Sequence, residues 1–117
     1  MTRLISQERS VTVYESDLIS LRFEVGADVD PTTTAPEFML TAPTVTDPGL
    51  TGWSIGSWES STYGNAGTSW TYVYTPTIGN VNATLRVTSN NRYLLWCRIP
   101  DLGVEDPILR CGVIWCP

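Results

Sequence analysis

The chain of 117 residues contains no histidine. Proton transfer near neutral pH would fall to carboxylates or tyrosine alone, and a cysteine or serine nucleophile would have no imidazole to activate it. Lysine is absent too: arginine supplies all seven basic residues against twelve acidic ones, for a net charge of −5. The arginines are dispersed between apolar runs. Nucleic-acid binding needs clustered positive charge to displace counterions, so no nucleic-acid partner is expected. No apolar run approaches the roughly 20 residues of a membrane helix, so no membrane partner is expected. "MTRLISQERS" offers only Leu4 and Ile5 before charge resumes, short of the apolar core of a secretory signal, and synthesis in a reducing cytoplasm is expected. Also missing are a Gly-rich phosphate loop, a G-x-S-x-G turn, an internal repeat and any sustained 3.6-residue apolar period.

Cysteine is sparse. The three thiols, Cys97, Cys111 and Cys116, stand 14 and 5 residues apart. Structural zinc takes four ligands, usually in C-x2-4-C pairs, and no pair here has that spacing. A Cys97–Cys111 disulfide across neighbouring strands is open, against a reducing compartment and strained cross-strand geometry. The plainer reading packs both as small apolar side chains. Acidic residues gather around two turns, Asp28, Asp30 and Glu37 in one, Asp101, Glu105 and Asp106 in the other. Neither has the D-x-D-x-D-G rhythm of a calcium loop, and solvated turn residues are expected. No cofactor and no metal is expected.

What is present is strand signal. "LISLRFEV", Leu18 to Val25, alternates with Ile19, Leu21, Phe23 and Val25 on one face and Ser20, Arg22 and Glu24 on the other. "VTVYES", "EFMLTAP" with Phe38 and Leu40 inward, "WSIGSWES" broken by Gly56, "SWTYVYT", "ATLRVTS" with Ala83, Leu85 and Val87 inward, "YLLWCRI" and "ILRCGVIW" follow. Pro-, Gly- and Asn-rich turns separate them. About eight strands at a spacing of roughly 8–12 residues predict a single all-β domain, a sandwich of seven to eight antiparallel strands. Residues 1–10 could form an extended N-terminal arm. In the closing hairpin, Tyr93, Leu95, Cys97 and Ile99 share one face, and a simple register places Cys97 opposite Cys111. Trp70 and Trp96 are expected in the core. Arg22, Arg86 and Arg98 are expected at outward strand positions, pairing with Glu24 or Glu15 or reaching a neighbouring subunit.

The strands ending in "RYLLWCRIPD" and "PILRCGVI" resemble an immunoglobulin-like sandwich. Tyr93 is similar to the tyrosine corner of such folds, whose phenol bonds back to the chain at the corner. No early-strand cysteine stands opposite Cys97, so the usual inter-sheet disulfide is missing. Taken whole, the chain resembles small immunoglobulin-like virion proteins of tailed bacteriophages infecting GC-rich actinobacteria. The pieces that carry the likeness are "ISLRFEVGADVDPTTTAPEFMLTAP", "WSIGSWE" and "YLLWCRIPDLGVEDPILRCGVI", about half the chain. The resemblance implies a non-enzymatic structural protein of the virion, decorating or reinforcing the capsid exterior. Its partners would be the major capsid protein or other virion proteins, with a homo-oligomer as a further option. The alternatives are a head–tail connector or tail component, and a surface module binding glycans or host proteins. Contacts are expected at Leu4, Ile5, Pro31, Pro36, Trp53, Trp58 and Trp115. No catalytic residue carries over.

Overall fold

The computed structural model describes residues 4–6, 8–27, 32, 34–49, 51–59, 69–100 and 108–117, with the backbone alone in 4–6, 26–27 and 69–71. Among them are twelve strands and no α-helix: β1 (Leu4–Ser6), β2 (Arg9–Thr12), β3 (Leu18–Ile19), β4 (Arg22–Ala27), β5 (Glu37–Thr41), β6 (Ser54–Ile55), β7 (Ser57–Trp58), β8 (Ser69–Tyr74), β9 (Ile78–Gly79), β10 (Leu85–Arg86), β11 (Asn91–Arg98) and β12 (Ile108–Cys116). They form a four-stranded sheet in the order β1-β4-β8-β7, a five-stranded sheet in the order β2-β12-β11-β5-β6, and a small three-stranded sheet in the order β10-β9-β3.

One core joins the two larger sheets. Phe23, Val25 and Val73 come from the four-stranded sheet; Phe38, Leu95, Cys97, Cys111 and Ile114 come from the five-stranded one. Val13, Ile78, Leu85 and Val87 extend it toward the small sheet. The strand periods explain this. Phe23 and Val25 point in while Arg22 and Glu24 point out, and Leu95 and Cys97 point in while Arg92 and Arg98 stay nearer solvent. Thr75 is the one buried polar side chain among the described residues, and its polar groups are used: Leu21 N–H donates to Thr75 Oγ1 at 2.9 Å and Thr75 N–H donates to Leu21 O at 2.9 Å. That exchange holds the start of β4 to the end of β8.

Several expectations give way here. The run Leu18 to Val25 is two strands in two sheets, and Ile19 faces outward at 37% exposure while Leu21 is buried. Tertiary pairing of β3 with β9 overrides the local alternation. The strand and sheet count exceeds the seven or eight strands expected, because short extended pieces pair separately. The pairing is not wholly antiparallel: β2 runs parallel to β12, and β9 parallel to β10. Within residues 1–10, read as an extended arm, Leu4–Ser6 pair with β4, and Arg9 and Ser10 begin β2, which pairs with β12. In β8 the core side chain is Val73, with Tyr72 and Tyr74 half-buried outside it; the Trp70 side chain lies outside the described residues. Trp96 is buried, as expected, but on the face of β11 opposite Leu95 and Cys97, where it pairs with the buried Met39.

The closing hairpin also differs in register. Tyr93 pairs with Ile114 and Leu95 with Gly112, but then Trp96 pairs with Arg110 and Cys97 with Leu109. Cys111 is the extra residue of a β-bulge, so Cys97 does not face it across the ladder. The bulge nevertheless turns Cys111 into the core beside Cys97, where the thiols hydrogen-bond. That bond, followed by burial and by the neighbouring Cys111, pushes the Cys97 thiol well above the ordinary range. All three cysteines are free and wholly buried.

Gly56 separates β6 in one sheet from β7 in the other, so the chain changes layers there. A Cβ at that position would lie 2.3 Å from Tyr74 O and 2.6 Å from the Phe38 ring. Only a hydrogen fits, and Gly56 N–H donates to Pro36 O at 2.9 Å as the chain passes. Gly112, at φ +153°, has the Arg9 carbonyl oxygen 1.9 Å from where a Cβ would stand, which is what lets β2 lie against the bulged β12.

Candidate functional site

Three surfaces present chemistry. The first is the outer face of the five-stranded sheet on the β5–β6 side. Arg98 of β11 and Glu37 of β5 are cross-strand partners, with Arg98 Nη2 2.5 Å and Nε 3.0 Å from Glu37 Oε1. The pair is partly shielded, and the Arg98 guanidinium lies 4.7 Å from the centroid of the Trp53 ring. Trp53 Nε1 donates to Gly49 O at 3.2 Å, so Asp47, Pro48 and Gly49 are tied to this face. Trp58 is held more firmly: its Nε1 donates to Thr34 O at 2.7 Å, Thr34 Oγ1 donates to Pro100 O at 2.9 Å, and its ring packs on the core. Both indoles are therefore half-buried, with their N–H groups used on the chain's own carbonyls.

The second surface lies at the opposite edge of the same sheet. Trp115 of β12, half-exposed, stands beside Arg92 of β11, whose guanidinium is 5.0 Å from the indole centroid. Ser10, Val11 and Thr12 of β2 and Val113 complete a groove of about 440 Å³. Parallel pairing of β2 with β12 sets Ser10 beside Val113 and Thr12 beside Trp115.

The third is the small sheet and its turns. Tyr14 is 54% exposed, Leu18 51% and Val81 68%, with Ile19 beside them in sequence. Asp17 closes the turn by accepting from Tyr14 N–H at 2.8 Å, and its carbonyl accepts from Asn80 N–H at 2.7 Å. Glu15 accepts from Ser89 N–H at 2.7 Å and from its hydroxyl at 2.6 Å. Those bonds, the side-chain one first, pull the Glu15 carboxyl below its usual value. Asp17, Glu15 and Ser89 are engaged within the chain, while Tyr14, Leu18, Ile19 and Val81 are exposed.

Of the residues expected at contacts, Leu4 and Ile5 lie in β1 with side chains outside the described residues, and Pro31 is outside them altogether. Pro36 is buried under the Gly56 crossing. Trp53 lies on the first surface beside Arg98, Trp58 belongs to β7 of the other sheet with its ring against the core, and Trp115 stands on the second surface, so the three are not brought together. Of the acidic turn residues, Glu37 is described and pairs with Arg98, while Asp28, Asp30, Asp101, Glu105 and Asp106 lie outside the described residues. Arg22 pairs with Glu59 at 2.9 Å and stacks on Tyr72 at 3.4 Å, not with Glu24 or Glu15. Among the described residues no three acidic or thiol groups converge, and no helix there is long and apolar enough to cross a membrane. Sequence reasoning missed the third surface. The signal was available: adjacent Leu18 and Ile19 cannot both point inward from one strand, and Val81 sits between two asparagines in a turn. No family model matches the sequence, and no curated protein matches it.

Proposed function

We propose that the chain is an immunoglobulin-like sandwich serving as a non-enzymatic structural protein of a tailed-phage virion, placed on the capsid exterior and held by contacts with the major capsid protein or other virion proteins. The strand order supports the fold. β1, β4, β8 and β7 would be strands A, B, E and D; β12, β11, β5 and β6 would be G, F, C and a C′ strand of the variable type. Tyr93 lies near the start of the F-equivalent strand, and its phenol oxygen accepts from Thr88 N–H at 3.0 Å, as a tyrosine corner would. The departures are chemical. Leu95 stands two residues after Tyr93, where the second cysteine of the usual pair would be, and the C-equivalent strand β5 buries Phe38 and carries no tryptophan.

The observation that carries the functional reading is the exposure of four large apolar side chains, Tyr14, Leu18, Ile19 and Val81, on the small sheet and its turns, beside the Asp17 and Glu15–Ser89 bonds that hold those turns. Such a surface is stiff and sheds water readily, which suits repeated contact in a lattice, where avidity offsets modest affinity per copy. The net charge of −5 opposes placement against packaged DNA. Quantitative mass spectrometry of purified particles of the phage encoding this chain tests the reading. Copies in lattice proportion to the major capsid protein are expected, a small fixed ring number would assign it to the head–tail connector, and recovery only as free protein would refute both.

A further inference from the structure

The groove at the β2 edge of the five-stranded sheet stands out because its polar groups are unspent. Among the described residues, Trp53, Trp58 and Trp96 each donate their indole N–H to an oxygen of the chain, but Trp115 does not. Arg22, Arg98 and Arg110 each pair with a glutamate; of the three described arginines without an ion pair, Arg9 donates to Arg22 O and Arg86 lies near the Glu15 carboxylate, while Arg92 has only the Trp115 ring beside it. The hydroxyls of Ser10 and Thr12 line the same groove, again without a side-chain hydrogen bond, and no acidic residue lines it. In a chain with twelve acidic and seven basic residues, an unpaired guanidinium in an acid-free groove is not explained by the fold. Its volume of about 440 Å³ lies within the range of small-molecule sites.

We propose that this groove binds a carboxylated sugar ring, such as a uronate unit of an acidic polysaccharide. Arg92 would take the carboxylate through its planar pair of N–H groups. The indole of Trp115 and the Val113 side chain offer an apolar wall for the C–H face of a pyranose. The indole N–H, with the Ser10 and Thr12 hydroxyls, meets ring hydroxyls, which both donate and accept. A bare acidic peptide side chain would use Arg92 but leave the indole wall and both hydroxyls unengaged. All six lining residues stand on three hydrogen-bonded strands, so little ordering accompanies binding. The site goes beyond the virion reading and does not depend on it.

The test is a titration of the isotopically labelled chain with sodium glucuronate, glucose and N-acetylglutamate at constant ionic strength, read by NMR. The Trp115 indole signal is assigned by its loss in Trp115→Phe. Saturable shifts at Trp115 Nε1–H and at the Ser10, Thr12 and Val113 amides are expected, with affinity in about the millimolar range. Glucose and N-acetylglutamate should each bind about tenfold or more weakly. Arg92→Gln should abolish the shifts while the other indole signals stay in place, showing the variant folded, and Thr12→Val should weaken them. Equal binding of N-acetylglutamate would make the groove a site for acidic peptide and overturn the proposal. So would glucuronate binding undiminished in Arg92→Gln, or no saturable shift at about 50 mM ligand, well above the expected range.

Discussion

Replacing Gly56 by alanine should be among the most damaging single-methyl changes available to this chain. The added carbon would stand 2.3 Å from Tyr74 O and within 2.9 Å of two carbons of the Phe38 ring. Ordinary contact begins more than an ångström further out, so something must move. Tyr74 is anchored in β8 and Phe38 is wholly buried, which leaves the crossing itself to swing away from Pro36. Overfilling of this kind typically costs about 1–3 kcal/mol, and loss of the Gly56 N–H to Pro36 O bond adds about 1 kcal/mol. The sum is about 2–4 kcal/mol. With an unfolding entropy of about 2.1 cal/mol/K per residue over 117 residues, each kcal/mol moves Tm by about 4 °C. Gly56→Ala should therefore melt about 8–16 °C below the parent, followed by circular dichroism in the strand region. Gly49→Ala is the control: nothing lies within 4 Å of its Cβ, so only the left-handed backbone at φ +81° is strained, at about 1–2 kcal/mol. If Gly56→Ala melts within about 2 °C of the parent, or no lower than Gly49→Ala, the layer crossing is misplaced.

Tyr93→Phe removes the acceptor of Thr88 N–H and a partner of Thr88 Oγ1, and should lower stability by about 1 kcal/mol, or about 4 °C in Tm; no change would argue against the corner. The Glu15 carboxyl is held below its unfolded value, so its contribution is present above the unfolded pKa and lost as pH falls through the lower folded one. Stability of the parent should accordingly drop on acidification below about pH 4, and Glu15→Gln should reduce that slope; identical pH profiles would remove the Glu15–Ser89 clasp. The three thiols should resist a thiol-specific dye in the native protein and all react on unfolding. Cys97 and Cys116 titrate above the ordinary range, the first chiefly through its bond with Cys111 and the second chiefly through burial. Immediate labelling of any one thiol in native buffer would contradict the packing.

Much of the core was legible because period 2 is strict wherever one face is dry. Phe23, Val25, Phe38, Leu85, Val87, Leu95 and Ile99 are all buried as their alternation required. Gly56 was legible as an interruption, though only the structure shows that the chain changes sheets there. What local pattern could not carry was pairing at a distance. The bulge at Cys111 depends on how β12 accommodates β2 beside it, and the parallel placement of β2 depends on Gly112 having no side chain to oppose the Arg9 carbonyl. Tyr72 and Tyr74 show the same limit: alternation sets them on the face opposite Val73 without saying which face is dry, and in the structure Val73 faces inward while Tyr72 lies under Arg22 and Tyr74 beside Glu59. The contact surfaces were harder still. Trp53 and Trp58 read as exposed anchors, but their indole N–H groups are spent on Gly49 and Thr34, whereas Trp115 keeps its own.

Two layers sharing one interior is the claim on which the rest stands, and methyl-to-methyl NOEs measure it directly. Val25 and Val73, from the four-stranded sheet, should connect through the core to Leu95 and Ile114, from the five-stranded one, and the backbone of Val11 should show a parallel pattern beside Ile114. If each set of methyls saw only its own sheet, or if β2 ran antiparallel to β12, the architecture described here would be wrong.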